Sequence, residues 1–557
     1  MQLLEKHFDI AFTAPDGIKK LRELILSLAF QGKLVPQDPN DPPTNELLKN
    51  IEIEKSRLVK EGKIKVPKPF PPIKPEDVQY QLPKGWEWVS LGNVSEVNGG
   101  FAFKSSKYSN DGMRVVRISD FDEKGFKNDK VVRYPFSDDL KNFKLEPQNI
   151  LMAMTGGTVG KSLLVKELPE PMVVNQRVAT IRILPGVVPE YLNSLIQTNL
   201  IQNVIRNAKN STNDNISMAD ITGFHVPLAP LAEQRRIVAK IDELMARCDE
   251  LKKLRNQREQ KRLDVHKAAL NSLLSASETN SCASSWSFIT RNFSELYSVK
   301  ENVAELRKAI LQLAVMGKLV PQDPNDQPAT ELLKEIEADK KRLVKEGKIK
   351  AAKPLPPIKP EEVPYQLPNG WEWVRLGELG ISQTGTTPPS KDRENFGNFI
   401  PFVGPGDIKN GSIDYSGEGL SEQGVSKGRL IDANSVLMVC IGGSIGKHAI
   451  NERDTTCNQQ INTLTPYSPV LVKYIYSVMA AVYFQSAVIS QAGGSATPII
   501  NKQKWSGIPV PISPLPEQHR IVARIDQLMA LCDALEQQIY DATNKQAELL
   551  NALMARV

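Results

Sequence analysis

The strongest constraint on this 557-residue chain is that much of it is written twice. "GKLVPQDPND" begins at Gly32 and again at Gly317. "RLVKEGKIK" begins at Arg57 and at Arg342, and "YQLPKGWEWV" at Tyr80 is answered by "YQLPNGWEWV" at Tyr365. Over residues 32–94 the spacing never changes, and about three-quarters of positions are identical. A second pair lies further on: "PLAEQRRIVAKIDELMARCDEL" from Pro230 and "PLPEQHRIVARIDQLMALCDAL" from Pro514. Between the paired blocks, at about 95–225 and 380–510, the copies diverge. Two repeats of about 285 residues are too few for a solenoid, which needs about three or more, so the pattern predicts a pseudo-twofold pair of domains.

The duplication sets the expected boundaries. An N-terminal helix (1–31) leads into a charged, proline-rich frame segment (32–83) and a first variable domain (84–229). A long helix (230–276), then a linker and short helix (277–316), precede the second frame segment (317–368), the second variable domain (369–513) and a C-terminal long helix (514–557). "VPKPFPPIKPEDVQYQLP" and "AAKPLPPIKPEEVPYQLP" cannot be regular helix or central strand and are expected to run as extended straps. "SASETNSCASSWS" reads as a Ser-rich linker.

The long helices carry a seam. Ile237, Ile241, Leu244, Cys248 and Leu251 recur at spacings of four and three, and so do Ile521, Ile525, Leu528, Cys532, Leu535 and Ile539. This is a heptad pattern, and Pro230 and Pro514 stand where a helix start tolerates proline. Each pattern runs about 40 residues, or ~60 Å at 1.5 Å per residue. The expectation is that the two seams pair in an antiparallel coiled coil. A short helix precedes each "GKLVPQDPND", and the one missing a predecessor is the N-terminal one. The C-terminal long helix should supply it, bringing the termini together in a circular organisation.

The inserts read as mixed α/β. Strands are expected at "MRVVRIS", "NILMAM" and "QRVATIRIL", and at "FIPFVG", "SVLMVCI" and "QINTLTP". Helices are expected at "PEYLNSLIQTNLIQNVI" and "SPVLVKYIYSVMAAVYFQSAV". The order matches in both copies, so the fold is shared while the surface differs. "TGGTVGKS" has the end of a phosphate-binding loop, but Thr155 stands where its first glycine belongs. Its counterpart, "IGGSIGKH", has Ile441 there and His448 in place of Ser or Thr. Both copies miss the pattern, and neither predicts nucleotide binding.

A net charge of +6 allows a polyanionic partner without demanding one. Cys248, Cys282, Cys440, Cys457 and Cys532 show no metal spacing and suggest a reducing compartment. "MQLLEKHFDIAF" lacks the pattern of a signal peptide, and no apolar run reaches membrane-spanning length, so a cytoplasmic location without a membrane partner is expected. The nearest match to the Asn/Asp-Pro-Pro-aromatic loop of amino-methyltransferases is "DPPT", without the aromatic, and its repeat reads "DQPA".

The order of frame, variable domain and "PLAEQ" helix, then frame, variable domain and "PLPEQ" helix, resembles the specificity subunit of Type I restriction–modification enzymes. "GKLVPQDPND", "LPKGWEWVSLG" and "PLAEQRRIVAKID" carry the resemblance, which covers nearly the whole chain. It implies two α/β target-recognition domains, each reading half of a split site on double-stranded DNA. It also implies that the long helices hold the halves apart and dock two methyltransferase subunits, with motor–nuclease subunits joining for restriction. S-adenosylmethionine, ATP and Mg would belong to those partners, leaving this chain without cofactor or catalysis.

On that reading the glycine-rich hairpins and the turns after them are candidate DNA contacts. Lys161 and Lys447 could neutralise a phosphate as point charges. Asn175, Gln176, Arg177, Asn458, Gln459 and Gln460 carry the donors and acceptors that read base edges, and Arg117, beside the first strand, is a lesser candidate. The same glycines also suit a tight hairpin, and the Asn-Gln pair a turn cap. The basic run 252–262 reads as a solvated helix face. The competing readings are a stand-alone DNA-modifying enzyme and a coiled-coil scaffold with two domains for other ligands.

Overall fold

The structure is a computed structural model, which describes residues 13–64, 66, 69–208, 215–275, 279–351, 354–409, 411–467, 470–494 and 497–555. The chain divides into two units. The first holds residues 1–256 and 543–557, and the second holds 257–542. The long helix Leu231–Ser275 begins in the first, and the long helix Leu515–Met554 ends in it.

In the first unit a four-stranded antiparallel sheet forms the centre of the variable domain. Its order is Ser95–Gly99, Val178–Ile183, Ile150–Ala153, Ser162–Leu164. Ile150, Leu151, Met152 and Ala153 are all fully buried, as a strand covered on both faces must be. Helices Pro189–Ile196 and Asn199–Ala208 lie on one side, with Tyr191, Leu192, Leu195 and Ile205 in the core. A second, smaller sheet holds Met113–Val116 parallel to Met172–Val174. The second unit repeats the plan: Gly380–Thr384, Ile461–Pro466, Val436–Val439, His448–Ile450. All six expected strands are present, and each expected helix is a pair of shorter ones. The pair Val472–Ala480 and Val482–Gln491 is bent by 66° and buries Tyr474, Ile475, Phe484 and Val488, so its apolar character serves a core. Among the described residues no single helix is long and apolar enough to cross a membrane.

The repeated words of the sequence turn out to be one buried joint. Strand Glu87–Ser90 pairs with His225–Leu228, which brings "GWEW" beside "PLAEQ". The Trp86 indole donates to Glu233 Oε2 at 2.9 Å, and Glu233 is 2% exposed. Arg236 reaches back to Asp41 of "QDPND" at 2.6 Å, and Gln234 Nε2 caps the Ala229 carbonyl. The second unit repeats these contacts with Trp371 and Glu517 at 2.9 Å, Arg520 and Asp326 at 2.6 Å, and Gln518 on Ser513. A buried carboxylate is costly unless hydrogen-bonded, which ties these sequence blocks to one another. Over their described residues the straps carry neither helix nor strand, apart from single turns at Pro75–Asp77 and Pro360–Glu362; 67–68 and 352–353 lie outside the described residues. Tyr80 and Tyr365 pin them by donating to the carbonyls of Phe30 and Val315.

One expectation gains detail and one is corrected. The seam residues are covered within each unit. Ile237, Ile241 and Cys248 pack with Ile25, Ala29 and Phe30 of the short helix Gly17–Phe30, and Leu244 lies against the same cluster. The helices run antiparallel: Arg22 bonds Asp249 at 2.6 Å, and Arg255 donates to the Ala14 carbonyl. Ile521, Ile525 and Cys532 pack likewise with the helix Lys300–Val315, with Leu528, Leu535 and Ile539 at the margin, and Arg307 bonds Asp533 at 2.7 Å. Leu251 leaves the seam and is 41% exposed. Within each unit the short repeated helix is thus an antiparallel partner of the seam, and its apolar face needs cover just as the seam does. The Ser-rich stretch read as a linker is also different: 276–278 lie outside the described residues, and from Thr279 it is part of the helix Thr279–Arg291, with Ile289 buried.

The expected meeting of the termini is present. Ala14 and Leu24 share a buried cluster with Leu550 and Leu553. The basic run 252–262 is largely exposed, with Arg262 held by Glu295 at 2.6 Å.

Candidate nucleic-acid interface

The predicted site residues come together at one edge of each variable domain. In the first, residues 154–161 connect strands Ile150–Ala153 and Ser162–Leu164 as a hairpin, closed by Gly160 N–H to Ala153 O and Ala153 N–H to Lys161 O. Met154 N–H then donates to Arg177 O at 2.9 Å, joining the hairpin to the turn 175–177. Asn175 N–H donates to Val116 O at 3.0 Å, joining that turn to segment 117–120. In the second domain Gly446 bonds Val439, Cys440 bonds Gln460 and Asn458 bonds Val403 through the same backbone groups.

The glycines are structural. Gly160 and Gly446 have φ of +85° and +90°, where a side chain is strained. Gln202 Nε2 donates to the Gly160 carbonyl and Gln485 Nε2 to the Gly446 carbonyl, each at 3.1 Å. A Cβ on either would lie 2.9 or 2.3 Å from that glutamine's oxygen. Gly100 and Gly385 have a related duty. A Cβ there would lie 2.3 or 2.2 Å from the carbonyl oxygens of Asn175 and Asn458.

Lys161 and Lys447 are not alike. The Lys161 ammonium donates to Ile118 O at 2.6 Å and lies 4.8 Å from the centre of the Phe121 ring. Burial, with Lys127 nearby, lowers its pKa. It is turned inward to satisfy a carbonyl, which corrects the reading of it as a free phosphate contact. Lys447 is exposed, and its side chain has no partner among the described residues.

Arg117 is also occupied. Its guanidinium makes a paired contact with Asp120 at 2.7 and 2.9 Å and donates to Lys130 O at 2.7 Å. The hydrogen bonds to Asp120 raise its pKa against the opposing effect of burial. It braces the loop, and this corrects its place among the base readers. Asp120 is the residue that sequence reasoning missed. It also caps Arg117 N–H, as Asp407 caps Gly404 N–H. The signal was its recurrence four residues after the matching strand ends, Val116 and Val403.

The Asn-Gln turns divide into frame and surface. Asn175 Oδ1 accepts from Arg177 N–H at 3.1 Å, and Asn458 Oδ1 from Gln460 N–H at 3.0 Å. Both asparagines therefore cap their turns and are corrected to structural roles. Gln460 Oε1 folds back onto Asn458 Nδ2 at 3.1 Å. Gln459 is exposed and accepts from the Thr387 hydroxyl. Gln176 and Arg177 are exposed, and their side chains have no partner among the described residues.

Comparison with known proteins agrees with this duplicated arrangement. The family model described as "Type I restriction modification DNA specificity domain" matches twice, at residues 83–260 and 368–544. The chain is 32% identical to the EcoAI specificity subunit of Escherichia coli, a Type I restriction enzyme subunit, over 96% of this chain and 93% of the relative. It is 30% identical to the EcoEI specificity subunit of the same organism, over 96% and 93%. A solved HsdS subunit from Thermoanaerobacter tengcongensis is 19% identical, covering 85% of this chain and 97% of its own, with a TM-score of 0.43. The chain belongs to the Type I restriction–modification DNA specificity family, whose members are DNA-recognition subunits.

Proposed function

We propose that the chain is the non-catalytic DNA-reading subunit of a Type I restriction–modification complex, each variable domain reading one half of a split, asymmetric duplex site. The observation that carries this reading is the edge described above. The same backbone hydrogen bonds build it twice, while the side chains on its surface differ: Arg177 against Gln460, Arg117 against Gly404, and Phe101–Ala102–Phe103 against Thr386–Thr387–Pro388. A scaffold repeated with altered surface residues suits two related but unequal objects.

The long helices set the gap between the half-sites and, with the repeated frames, offer the surface on which two methyltransferase subunits dock. Motor–nuclease subunits join for restriction. S-adenosylmethionine, ATP and Mg are supplied on those partners, and the chain works in the cytoplasm. Neither glycine hairpin has the strand–loop–helix context of a phosphate loop, since each leads into a strand. The test is to map methylation directed by the chain with its methyltransferase partner, beside a partner-free preparation. A bipartite methylated site with a partner-free preparation that transfers no methyl group is expected. Methyl transfer by the chain alone would overturn the non-catalytic part.

A further inference from the structure

The turns 175–177 and 458–460 are the same backbone device with one consequential difference. Each begins with an asparagine whose side-chain oxygen accepts from the N–H two residues on, at 3.1 and 3.0 Å. Each is tied to the glycine hairpin through the carbonyl of its third residue, at 2.9 and 2.7 Å. In the first domain Gln176 N–H also bonds Phe101 O at 2.9 Å. The third residue is where the copies part. Gln460 is half-buried and bonded to Asn458, while Arg177 stands exposed on a backbone held on both sides.

A fixed backbone under a free guanidinium is a pre-organised reader, because only the side chain has to be ordered on binding. Two other arginines of the same domain, on the strand and segment bonded to this turn, are spent. Arg117 is held by Asp120, and Arg114 is buried against Asn128 and the Lys127 carbonyl. The fork of an arginine matches the O6 and N7 acceptors of guanine in the major groove, a pattern no other base presents.

We infer that Arg177 is the specificity-determining residue for a guanine in the half-site read by the first domain, and that the second domain reads its half without an equivalent contact because Gln460 is folded away. This deepens the proposed function and rests on it.

The experiment is selection from a randomised duplex library with the full-length chain and its methyltransferase partner, comparing wild type with Arg177→Ala and Arg177→Lys. Wild type should select a guanine at one position of one half-site. Both variants should relax that position by about 10- to 100-fold, as expected for loss of one two-pronged base contact. The rest of that half-site and the whole of the other should be unchanged. Lysine keeps the charge and loses the fork, so Arg177→Lys retaining the preference would overturn the assignment. So would Arg177→Ala weakening all sequences equally with a reduced salt dependence, which marks a phosphate contact. Selection unchanged in either variant, with thermal melting intact, would overturn it as well. A wild-type complex that selects no sequence at all would refute the DNA-reading function itself and is distinguishable from each of these.

Discussion

The two hairpin lysines make a sharp test, because they occupy matching positions and have different surroundings. Lys447→Ala should remove a phosphate contact. One contact contributes about 0.9 to the slope of log affinity against log salt on duplex DNA. The variant's slope should be shallower by about that amount. Between 50 and 200 mM salt, its affinity should then fall about 3.5-fold less than that of wild type. Its melting temperature should not move, since the Lys447 side chain has no partner among the described residues. Lys161→Ala should do the reverse. It strips the Ile118 carbonyl of its 2.6 Å donor and loses the contact over Phe121. A charged hydrogen bond of this kind contributes about 1.5–3 kcal/mol, and partial exposure of Lys161 brings the expected loss toward 1–2 kcal/mol. At about 2–4 °C per kcal/mol for a unit of this size, the melting temperature should fall by roughly 2–8 °C. The salt slope should stay at the wild-type value. Binding measured by fluorescence anisotropy at four or five salt concentrations, with melting curves in parallel, separates the two. Equal slope losses in both variants, with equal stability, would refute the assignment of Lys161 to the loop.

The buried joint predicts a stability pattern. Trp86→Phe leaves Glu233 without its indole donor and should cost about 1–3 kcal/mol by thermal melting at pH 7. Burial raises the pKa of Glu233, so the folded state holds its proton more tightly than the unfolded state. The stabilisation is full below the unfolded value, near 4.5, and is lost as pH rises through the folded one. Glu233→Gln keeps an acceptor for Trp86 and removes the charge. It should flatten this decline in melts from pH 4 to 8, whereas an unchanged profile would mean that Glu233 is not the group titrating. Exchange of residues 95–225 for a relative's insert should change one half of the methylated site, and a change in both halves would contradict separate reading. A four-residue insertion near the exposed Gln257 adds about 6 Å and nearly restores helical phase. It should lengthen the unread gap by one or two base pairs, and the same gap from an active variant would show that the helix does not set the spacing.

The frame was legible because the duplication separates what packing demands from what it permits. Residues that hold one another, such as Trp86, Glu233, Arg236 and Asp41, recur as Trp371, Glu517, Arg520 and Asp326 at unchanged spacing. The strands were legible for a similar reason, since runs such as Ile150 to Ala153 are apolar throughout and are buried on both faces. Seam partners were not legible. Periodicity says that an apolar face at Ile237, Ile241 and Cys248 will be covered, and it does not say by which helix. The short helix Gly17–Phe30 carries a matching face of its own, and Arg22 against Asp249 selects it. Serines also misled at 279–291, where the buried Ile289 and the Ser285–Ser272 bond anchor a helix that composition reads as a linker.

The site was legible as a place and not as a set of roles. Composition identifies Lys161, Arg117, Asn175 and Arg177 as groups able to meet DNA, yet three of the four are engaged with the chain itself. What decides is whether a nearby backbone group or carboxylate would otherwise go unsatisfied. The Ile118 carbonyl claims Lys161, Asp120 claims Arg117, and the Arg177 amide claims Asn175. Asp120 and the Arg177 amide act through local turns, while folding brings the Ile118 carbonyl to Lys161 from a distant segment. Arg177 remains because its own amide and carbonyl are already bonded and no acceptor faces its side chain among the described residues. The side chain left free by the fold is therefore the better candidate for reading an external object than the residue type that chemistry alone would choose. Applied to the second domain, the same argument sets Asn458 and Gln460 aside, leaves Lys447 for the backbone, and points to the exposed Gln459 and Thr387 pair as the surface to vary next.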